Sequence, residues 1–287
     1  MNILVDCVQT GDFIIRALHD KIDYVITIPP KFAKEKNLSG YVNHKLLCDR
    51  FKIPIYYPKK FDLSSNEELA FFLDKKPDLL MVFGWQRIVP DKILNLCKVA
   101  VGNHGSWKKL PKGRGHSPIN WELIFGKKKH YSHLFYLEPG VDSGRIIDYK
   151  KFKINKFDTC DSLYKKNAVW LAYMLKKNWN NILNKESGKK QWGIATYLPK
   201  RTPEDGKIDF GAMNTADIYN LVRGITKPYP GTFFYEKDKK IIIWKCQPFD
   251  MDFEKKDIGK KVLTFYDNSF VLATKDGSLL ITEWEFE

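Results

Sequence analysis

The residues best suited to chemistry lie between His104 and Asp148, a stretch dense in glycine and proline. It contains His104-Gly105-Ser106, then the run from Leu110 to Trp121, and it closes with Glu138-Pro139-Gly140-Val141-Asp142-Ser143-Gly144. Such punctuation fixes loops in one shape, and these loops present a histidine and an aspartate. A neutral imidazole can take a proton from an amine, and a carboxylate can orient and stabilise the resulting cation. The pair therefore predicts acid–base chemistry on an amine.

Apolar runs and helical patterns alternate through the first half of the chain, which is typical of a parallel sheet covered by helices. Strands are predicted at 3–5, 24–28, 53–57, 78–84 and 98–102, and helices at about 13–19, 41–51 and 66–74. Ligands of such sheets bind beyond the carboxyl ends of the strands. Gly84-Trp85-Gln86 and the run from Gly102 to Ser106 follow two of these strands, so this edge is expected to hold the site.

The second half of the chain changes in texture after Pro203-Glu204-Asp205-Gly206. A long helix is predicted at about 160–183, and then one helix at 216–224 and five short strands between Thr232 and Trp284. Regular short strands separated by turns predict a small β-barrel. The expected fold class is α/β, a Rossmann-like, mostly parallel sheet with helices on both faces, plus a small C-terminal OB-like β-barrel. The expected domains are residues 1–203 and 204–287.

Two regions of the chain resemble the folate-dependent formyltransferases, which include methionyl-tRNA formyltransferase and the sugar-nucleotide N-formyltransferases. The first is the 104–148 stretch, where the family pattern runs Asn-x-His, Leu-Pro, Arg-Gly, Pro-Ile-x-Trp and Asp-x-Gly-x-Ile. The second is similar to the linker and start of that family's C-terminal domain, and it covers Arg201–Phe210, Ile218–Arg223 and Pro228–Phe233. The resemblance implies transfer of a formyl group from 10-formyltetrahydrofolate to an amine.

The resemblance also implies a catalytic trio of an asparagine, a histidine and an aspartate, here Asn103, His104 and Asp142. Asn103 abuts His104, whereas the family spaces the two by one residue. Counting back from Arg114 without a gap would instead place Ser106 at the histidine position. An insertion around 107–109 is preferred, because it keeps His104 at the strand end. Asn103 and protonated His104 are then expected to donate to the oxyanion, with Asp142 holding the histidine or relaying a proton through water.

A slot between two loops is expected to take the folate pterin. The cofactor-binding residues would be Met81, Phe83, Gly84 and Trp85 on one side, and Glu138, Gly140 and Val141 on the other. Met81 and Phe83 fit a core position equally well. Substrate contacts are expected from Gly105, Ser106 and Arg114, although Arg114 could equally brace its loop. His133 and Cys97 are interpreted as structural, and Arg223 and Tyr229 as packing between domains.

Composition limits the classes of partner without choosing one. The 287 residues carry 48 basic and 34 acidic side chains, a net charge of +14, which favours anionic ligands such as nucleotides, nucleic acid or a polyglutamylated folate. A lysine-rich proteome would produce the same balance. No run of apolar residues is long enough to span a membrane, and the start lacks a signal-peptide pattern, so a cytoplasmic protein is expected. Five scattered cysteines predict reduced, mostly buried thiols and no metal site.

The segment after the second strand, residues 29–41, bears on which class of acceptor supplies the amine. It is basic, but it lacks the glycine-arginine-glycine and Ser-Pro features of the tRNA enzymes that it would resemble. A small amino-deoxy sugar nucleotide of a surface-polysaccharide pathway is therefore preferred as the acceptor. Two alternatives stay open: a methionyl-tRNA formyltransferase, and a non-catalytic folate- or nucleotide-binding member of the same fold. The oligomeric state is open as well, with a homodimer among the options.

Overall fold

The computed structural model describes residues 1–186 and 188–287. They form two compact units. The N-terminal unit comprises Met1–Gly115, Lys129–Phe152 and Tyr164–Tyr197. The C-terminal unit comprises His116–Lys128, Lys153–Leu163 and Leu198–Glu287, so it takes in two earlier segments besides the end of the chain. The predicted domain boundary between residues 203 and 204 stays a prediction.

The N-terminal unit contains a seven-stranded sheet in the order β3-β2-β1-β4-β5-β7-β8. Its strands are β1 (Asn2–Val5), β2 (Tyr24–Ile26), β3 (Ile55–Tyr56), β4 (Leu79–Val82), β5 (Val99–Ser106), β7 (Lys129–Tyr136) and β8 (Ile146–Lys153). The first five of these pair in parallel, and β7 pairs antiparallel with β5. The predicted mostly parallel sheet is confirmed, and the apolar runs locate its five parallel strands to within a few residues, whereas β7 and β8 were not predicted.

Helices cover both faces of this sheet. They are α1 (Gln9–Leu18), α2 (Pro30–Glu35), α3 (Lys45–Phe51), α4 (Asn66–Lys75), α5 (Asp91–Leu94) and α7 (Cys160–Leu183). Alternate strand residues enter different cores, as the period of two requires. Leu4, Met81 and Val101 pack with α1, α3 and α7, whereas Val5 and Ala100 pack with α4 and α5. This alternation decides where the polar residues at the end of β5 point.

The C-terminal unit contains a five-stranded antiparallel half-barrel sheet in the order β10-β11-β14-β13-β12. The strands are β10 (Thr232–Glu236), β11 (Lys239–Pro248), β12 (Lys261–Thr264), β13 (Phe270–Thr274) and β14 (Gly277–Phe286), which confirms the predicted small barrel. Helices α6 (Pro118–Ile124) and α8 (Thr215–Ile225) belong to this unit, and the Asn120 amide donates to the Gly224 carbonyl at 2.7 Å. The described elements also include two short strands, β6 (Arg114–Gly115) and β9 (Tyr197–Leu198), and three short 3-10 helices at His19–Lys21, Pro203–Gly206 and Lys255–Asp257.

The five cysteines are free thiols, and Cys7, Cys48 and Cys160 are buried, in agreement with the prediction. No helix in residues 1–186 or 188–287 is both long and apolar enough to cross a membrane.

Candidate active site

The end of β5 separates two neighbouring polar side chains onto opposite faces of the sheet. His104 follows the Ala100–Gly102 series, and Asn103 follows the Val99–Val101 series that packs toward α7. The contacts agree with this alternation, because Asn103 meets Asn167 of α7 while His104 meets Asp142. The two faces therefore carry different polar sites.

His104 and Asp142 form a buried pair. The His104 Nδ1 atom lies 3.3 Å from Asp142 Oδ2, and the side chains are 7% and 20% exposed. The same Asp142 oxygen accepts from the Gly115 N–H at 3.1 Å, and Asp142 itself has a φ of 50°. His104 Nε2 lies 2.7 Å from the Gly113 carbonyl oxygen. Both ring nitrogens thus face acceptors, and only the doubly protonated imidazolium can donate to both.

Three hydrogen bonds stabilise the loop that supplies the Gly113 carbonyl. Thr196 brackets it, because its carbonyl accepts from Arg114 N–H at 2.9 Å and its hydroxyl accepts from Gly113 N–H at 2.9 Å. The buried Ser106 hydroxyl donates to the Lys112 carbonyl at 2.7 Å. At Gly113, with a φ of 76°, a Cβ would approach the Ser106 hydroxyl to 2.3 Å. Ser106 therefore stabilises the loop, and its hydroxyl is occupied by the hydrogen bond to Lys112.

A glutamine that the sequence analysis did not select joins the two site loops. Gln191 Nε2 donates to the carbonyls of Asp142 at 2.7 Å and Gly144 at 2.9 Å, and its Oε1 accepts from Arg114 Nη2 at 2.6 Å. Arg114 Nη1 also donates to the Tyr197 hydroxyl at 3.3 Å. One amide thus fixes the backbone on which Asp142 is carried and the guanidinium of Arg114.

Asn103 does not join His104 and Asp142, in contrast to the expectation. Its Nδ2 donates to Ser132 Oγ at 3.0 Å and to the His133 carbonyl at 2.9 Å, and its Oδ1 accepts from Asn167 Nδ2 at 2.7 Å. Adjacent residues of a strand point to opposite faces, so the Asn103 side chain is directed away from the pair.

Gly102 occupies the position that shares the face of His104. A Cβ added there would lie 2.8 Å from Leu137 Cδ2, so a larger side chain would require Leu137 to move. The family's asparagine, two residues before the histidine in the preferred alignment, thus has no counterpart side chain in this strand.

His133 is the residue of β7 that lies directly opposite His104 in the antiparallel pairing with β5. Its Nδ1 is 3.2 Å from the His104 carbonyl oxygen, and its Nε2 accepts from the Leu110 N–H at 3.3 Å. Burial lowers the pKa of His133 to about 3. The ring is therefore neutral, with the proton on Nδ1, and it links β7 by hydrogen bonds to the His104 carbonyl and the Leu110 N–H. This is consistent with a structural His133.

Family models match most of the chain. The model described as "Formyl transferase" matches residues 22–170, and "Formyl transferase, C-terminal domain" matches residues 200–287. The chain belongs to the formyl transferase family.

Two curated relatives and one solved structure illustrate the breadth of this family. The chain is 37% identical over 270 residues to the bifunctional polymyxin resistance protein ArnA of Wigglesworthia glossinidia brevipalpis, which covers 93% of this chain and 39% of that protein. It is 31% identical to the methionyl-tRNA formyltransferase of Alkaliphilus oremlandii, over 82% of this chain and 74% of the relative. The N-formyltransferase of Helicobacter canadensis in complex with folinic acid and dTDP-3-aminofucose matches with a TM-score of 0.63 and 18% identity, over 99% of this chain and 100% of that one.

In this formyltransferase the residues predicted for the pterin slot fall into two groups. Met81 and Phe83 are 0% and 2% exposed and belong to the core on the face opposite His104, so they are core residues. Gly84 has a φ of 55°, and a Cβ there would approach Val8 Cγ2 to 2.2 Å and Asp6 Oδ2 to 2.7 Å. Trp85 packs edge-on against Phe61, with ring centroids 4.8 Å apart.

The opposite wall of the predicted slot is more open. Val141 is 43% exposed, Gly140 has a φ of 101°, and Glu138 accepts from Arg145 Nε at 2.9 Å. Gly105 lies on β5 opposite Ser132 of β7. Of the wall residues, Val141 is the apolar side chain available to a ligand on the loop that carries Asp142.

The formyltransferase residues that sequence reasoning missed are Gln191 and Thr196, on the segment before β9. The available signal was the glycine-bounded run Gly188 to Gly193, which sits between a long helix and the barrel. Among the described residues, no group of three or more His, Cys, Asp or Glu is arranged to hold a metal ion.

Proposed function

We propose that this protein transfers the formyl group of 10-formyltetrahydrofolate to the primary amine of an amino-deoxy sugar nucleotide. Formyl transfer is supported by the His104–Asp142 pair at the carboxyl edge of the sheet in a member of the formyl transferase family. The observation that carries the choice of acceptor is the folding of the segment after β2, which is packed on the domain.

That segment contains α2 and returns to the domain surface. Phe32 and Ala33 pack in a small apolar cluster with Ile28 and Phe61, and the Tyr41 hydroxyl donates to the Ile28 carbonyl at 3.0 Å. These contacts fix the segment as a short helix packed on the domain, with Lys31, Lys34 and Lys36 exposed on its surface, so it does not extend as a loop toward an acceptor stem. This packing supports a small acceptor. The identity to ArnA, 37% against 31% for the tRNA enzyme, points the same way.

The reaction forms a bond between the acceptor nitrogen and the formyl carbon and breaks the bond from that carbon to folate N10. Attack by the neutral amine converts the formyl oxygen into an oxyanion. His104 Nε2–H would exchange the Gly113 carbonyl for this oxyanion, because an anion is the stronger acceptor. The proton lost by the acceptor nitrogen ends on N10, and Asp142 would relay it through water while balancing the imidazolium charge.

Asn103 takes no part in this mechanism, since each of its amide atoms is already bonded on the other face of β5. The oxyanion would be stabilised by one cationic donor where the family uses two side chains. A correspondingly modest turnover is expected, together with strong dependence on His104.

A methionyl-tRNA formyltransferase is the second candidate, favoured by the net charge of +14 and by the Alkaliphilus oremlandii relative. The two candidates differ in their response to salt. Binding of tRNA releases counterions from many phosphates and falls steeply with salt, whereas a nucleoside diphosphate offers only a few charges. For the first candidate, the sugar-nucleotide enzyme, we propose further that it works in the cytoplasm and supplies a surface-polysaccharide pathway.

An acceptor panel tests the proposal. Purified protein and 10-formyltetrahydrofolate are incubated with UDP-, dTDP- and GDP-linked amino-deoxy sugars and with methionine-charged initiator tRNA, and products are identified by mass. The expected result is a formylated sugar nucleotide that is not formed by His104→Ala protein. Formylation of the charged tRNA alone would overturn the proposal. Folate binding without any formylated product would instead support a non-catalytic member of the fold.

A further inference from the structure

A solvent-exposed tryptophan directly follows Gln191, whose amide contacts the backbone of Asp142. Trp192 is 93% exposed, and Ile194 and Tyr197 of the same segment are 80% and 60% exposed. Large apolar side chains grouped at such exposure are typical of binding sites. We call residues 189–197 the strap.

The strap backbone is held on both sides of Trp192. Before it, Lys189 exchanges two hydrogen bonds of 2.8 Å with Ile146, and Gln191 contacts the backbone of Asp142 and Gly144. After it, Thr196 bonds to Gly113 and to Arg114. The exposure of Trp192 therefore does not come from a loose end, because the chain anchors the residues around it and leaves the indole outside.

The surroundings of Trp192 are cationic. Lys189 and Lys190 are exposed, and the run from Gly188 to Tyr197 contains no acidic residue. The Arg114 guanidinium, held by Gln191, has a buried Nε with no hydrogen-bond partner among the described residues. Gln191 fixes the Arg114 guanidinium and is followed directly by the exposed Trp192, and a cation and an aromatic ring tied to one segment match a ligand that carries both phosphate and a π-surface.

We propose that Trp192 is the platform on which the nucleobase of the acceptor nucleotide stacks, with Arg114 binding its diphosphate. This inference rests on the proposed sugar-nucleotide acceptor and adds the subsite for its nucleoside end. Gln191 joins the two parts, because it touches the Asp142 loop, holds Arg114 and immediately precedes Trp192. Since every base offers a π-face, stacking tolerates different bases. UDP, dTDP and GDP should therefore all lose affinity when the ring is removed.

Calorimetric titration of free UDP, dTDP and GDP, without folate or sugar, tests the platform directly. Trp192→Ala should bind each nucleotide about tenfold more weakly, whereas Trp192→Phe should stay within about threefold of the native protein because it keeps a ring. Tyr266→Ala, at a fully exposed aromatic of the C-terminal unit, is the matched control and should change nothing. Folinic acid binding should be equal in all four proteins.

The proposal is overturned if Trp192→Ala binds the nucleotides as tightly as the native protein does. It is also overturned if the substitution weakens folinic acid, which would make the indole part of the folate site, or if it weakens charged tRNA alone. These titrations involve no turnover, so they fail separately from the acceptor panel. Once an acceptor is known, Trp192→Ala should raise its KM and leave both kcat and the KM for folate unchanged.

Discussion

The two faces of β5 at its carboxyl end carry equally buried polar clusters with different capacities. On one face, His104 reaches a carboxylate at 3.3 Å and a single loop carbonyl at 2.7 Å. On the other, Asn103 is bonded to Ser132, His133 and Asn167, which lie on β7 and α7. Both clusters are satisfied in the folded protein, so burial and hydrogen bonding alone do not distinguish them.

His104 and Asn103 differ in whether one of their hydrogen bonds can be exchanged for a bond to a ligand. His104 can exchange the Gly113 carbonyl for a stronger acceptor while its Nδ1 keeps its contact with Asp142, so its second nitrogen is exchangeable. Asn103 cannot rotate without leaving three buried groups unpaired, at a cost of about 1–3 kcal/mol each. A polar residue with one exchangeable partner is suited to catalysis, and one with three fixed partners is suited to holding strands together.

The strongest test of this contrast is His104→Ala. Loss of the oxyanion donor should lower kcat by a factor on the order of 10³. Because Asp142 and the Gly113 carbonyl also lose a partner, the rate is measured well below the thermal midpoint of the variant. Steady-state kinetics with the acceptor found in the panel measures the effect, and circular dichroism verifies the fold. Activity within tenfold of the native enzyme would remove His104 from the catalytic role.

Asp142→Asn should have the next largest effect. The amide can still accept from Gly115 N–H through its oxygen, but it no longer balances an imidazolium. We expect kcat to fall about a hundredfold with an almost unchanged KM for the acceptor. Glu138→Gln, which breaks the exposed pair with Arg145 on the same loop, is the control and should matter little. Equal losses in both variants would mean that loop shape, and not the Asp142 charge, is being measured.

Asn103→Ala should reverse this pattern, with a large loss of stability and a small loss of rate. Three hydrogen bonds disappear, and buried groups of Ser132, His133 and Asn167 lose a partner, so the free energy of unfolding should drop by at least about 3 kcal/mol. Well below the melting temperature, kcat should stay within about threefold. Asn167→Ala combined with Asn103→Ala should cost less than the sum of the two, which urea unfolding can resolve. A hundredfold loss of kcat in a folded Asn103→Ala protein would restore Asn103 to the active site.

His133 should give the smallest, pH-dependent effect. Its pKa of about 3 in the folded protein lies below the usual value of about 6.5 in an unfolded chain. The unfolded chain therefore binds the proton more readily, so this stabilisation is complete above pH 6.5 and is lost as the pH falls toward 3. The slope should be at most about 1.4 kcal/mol per pH unit. His133→Asn, which keeps a donor for the His104 carbonyl, should flatten the curve; identical curves would contradict a neutral, buried imidazole.

Much of the fold follows from sequence patterns, because strands such as 79–82 and 99–106 are marked by local apolar runs that end at glycines. The short α2 and the antiparallel β7 were not predicted, since their stability comes from packing against distant segments. At the site, His104 and Asp142 were found through their loops. The alternation that separates Asn103 from His104 was not predicted, because the strand was expected to end at residue 102 whereas β5 continues to Ser106.

Other parts of the site depend on contacts that no local pattern encodes. Gln191 meets Arg114 and Asp142, which are 77 and 49 residues away along the chain, so no spacing rule points to it. Met81 and Phe83 read equally well as pocket or core residues, and only the three-dimensional packing assigns them to the core. Sequence patterns point to His104 and Asp142 as candidates, whereas the contacts that support them come from the fold.

The Gln191 amide has a consequence for how such an enzyme can change its substrate. It connects the loop that would contact the acceptor phosphate with the loop that carries the carboxylate, through bonds of 2.6 and 2.7 Å. An insertion or substitution that reshapes either loop is transmitted to the other, so neither can drift alone during divergence. A laboratory effort to change the acceptor should therefore randomise residues 112–115, 140–144 and 189–197 as one library. Most variants in a library of a single loop would lose the Gln191 hydrogen bonds to Arg114 or Asp142.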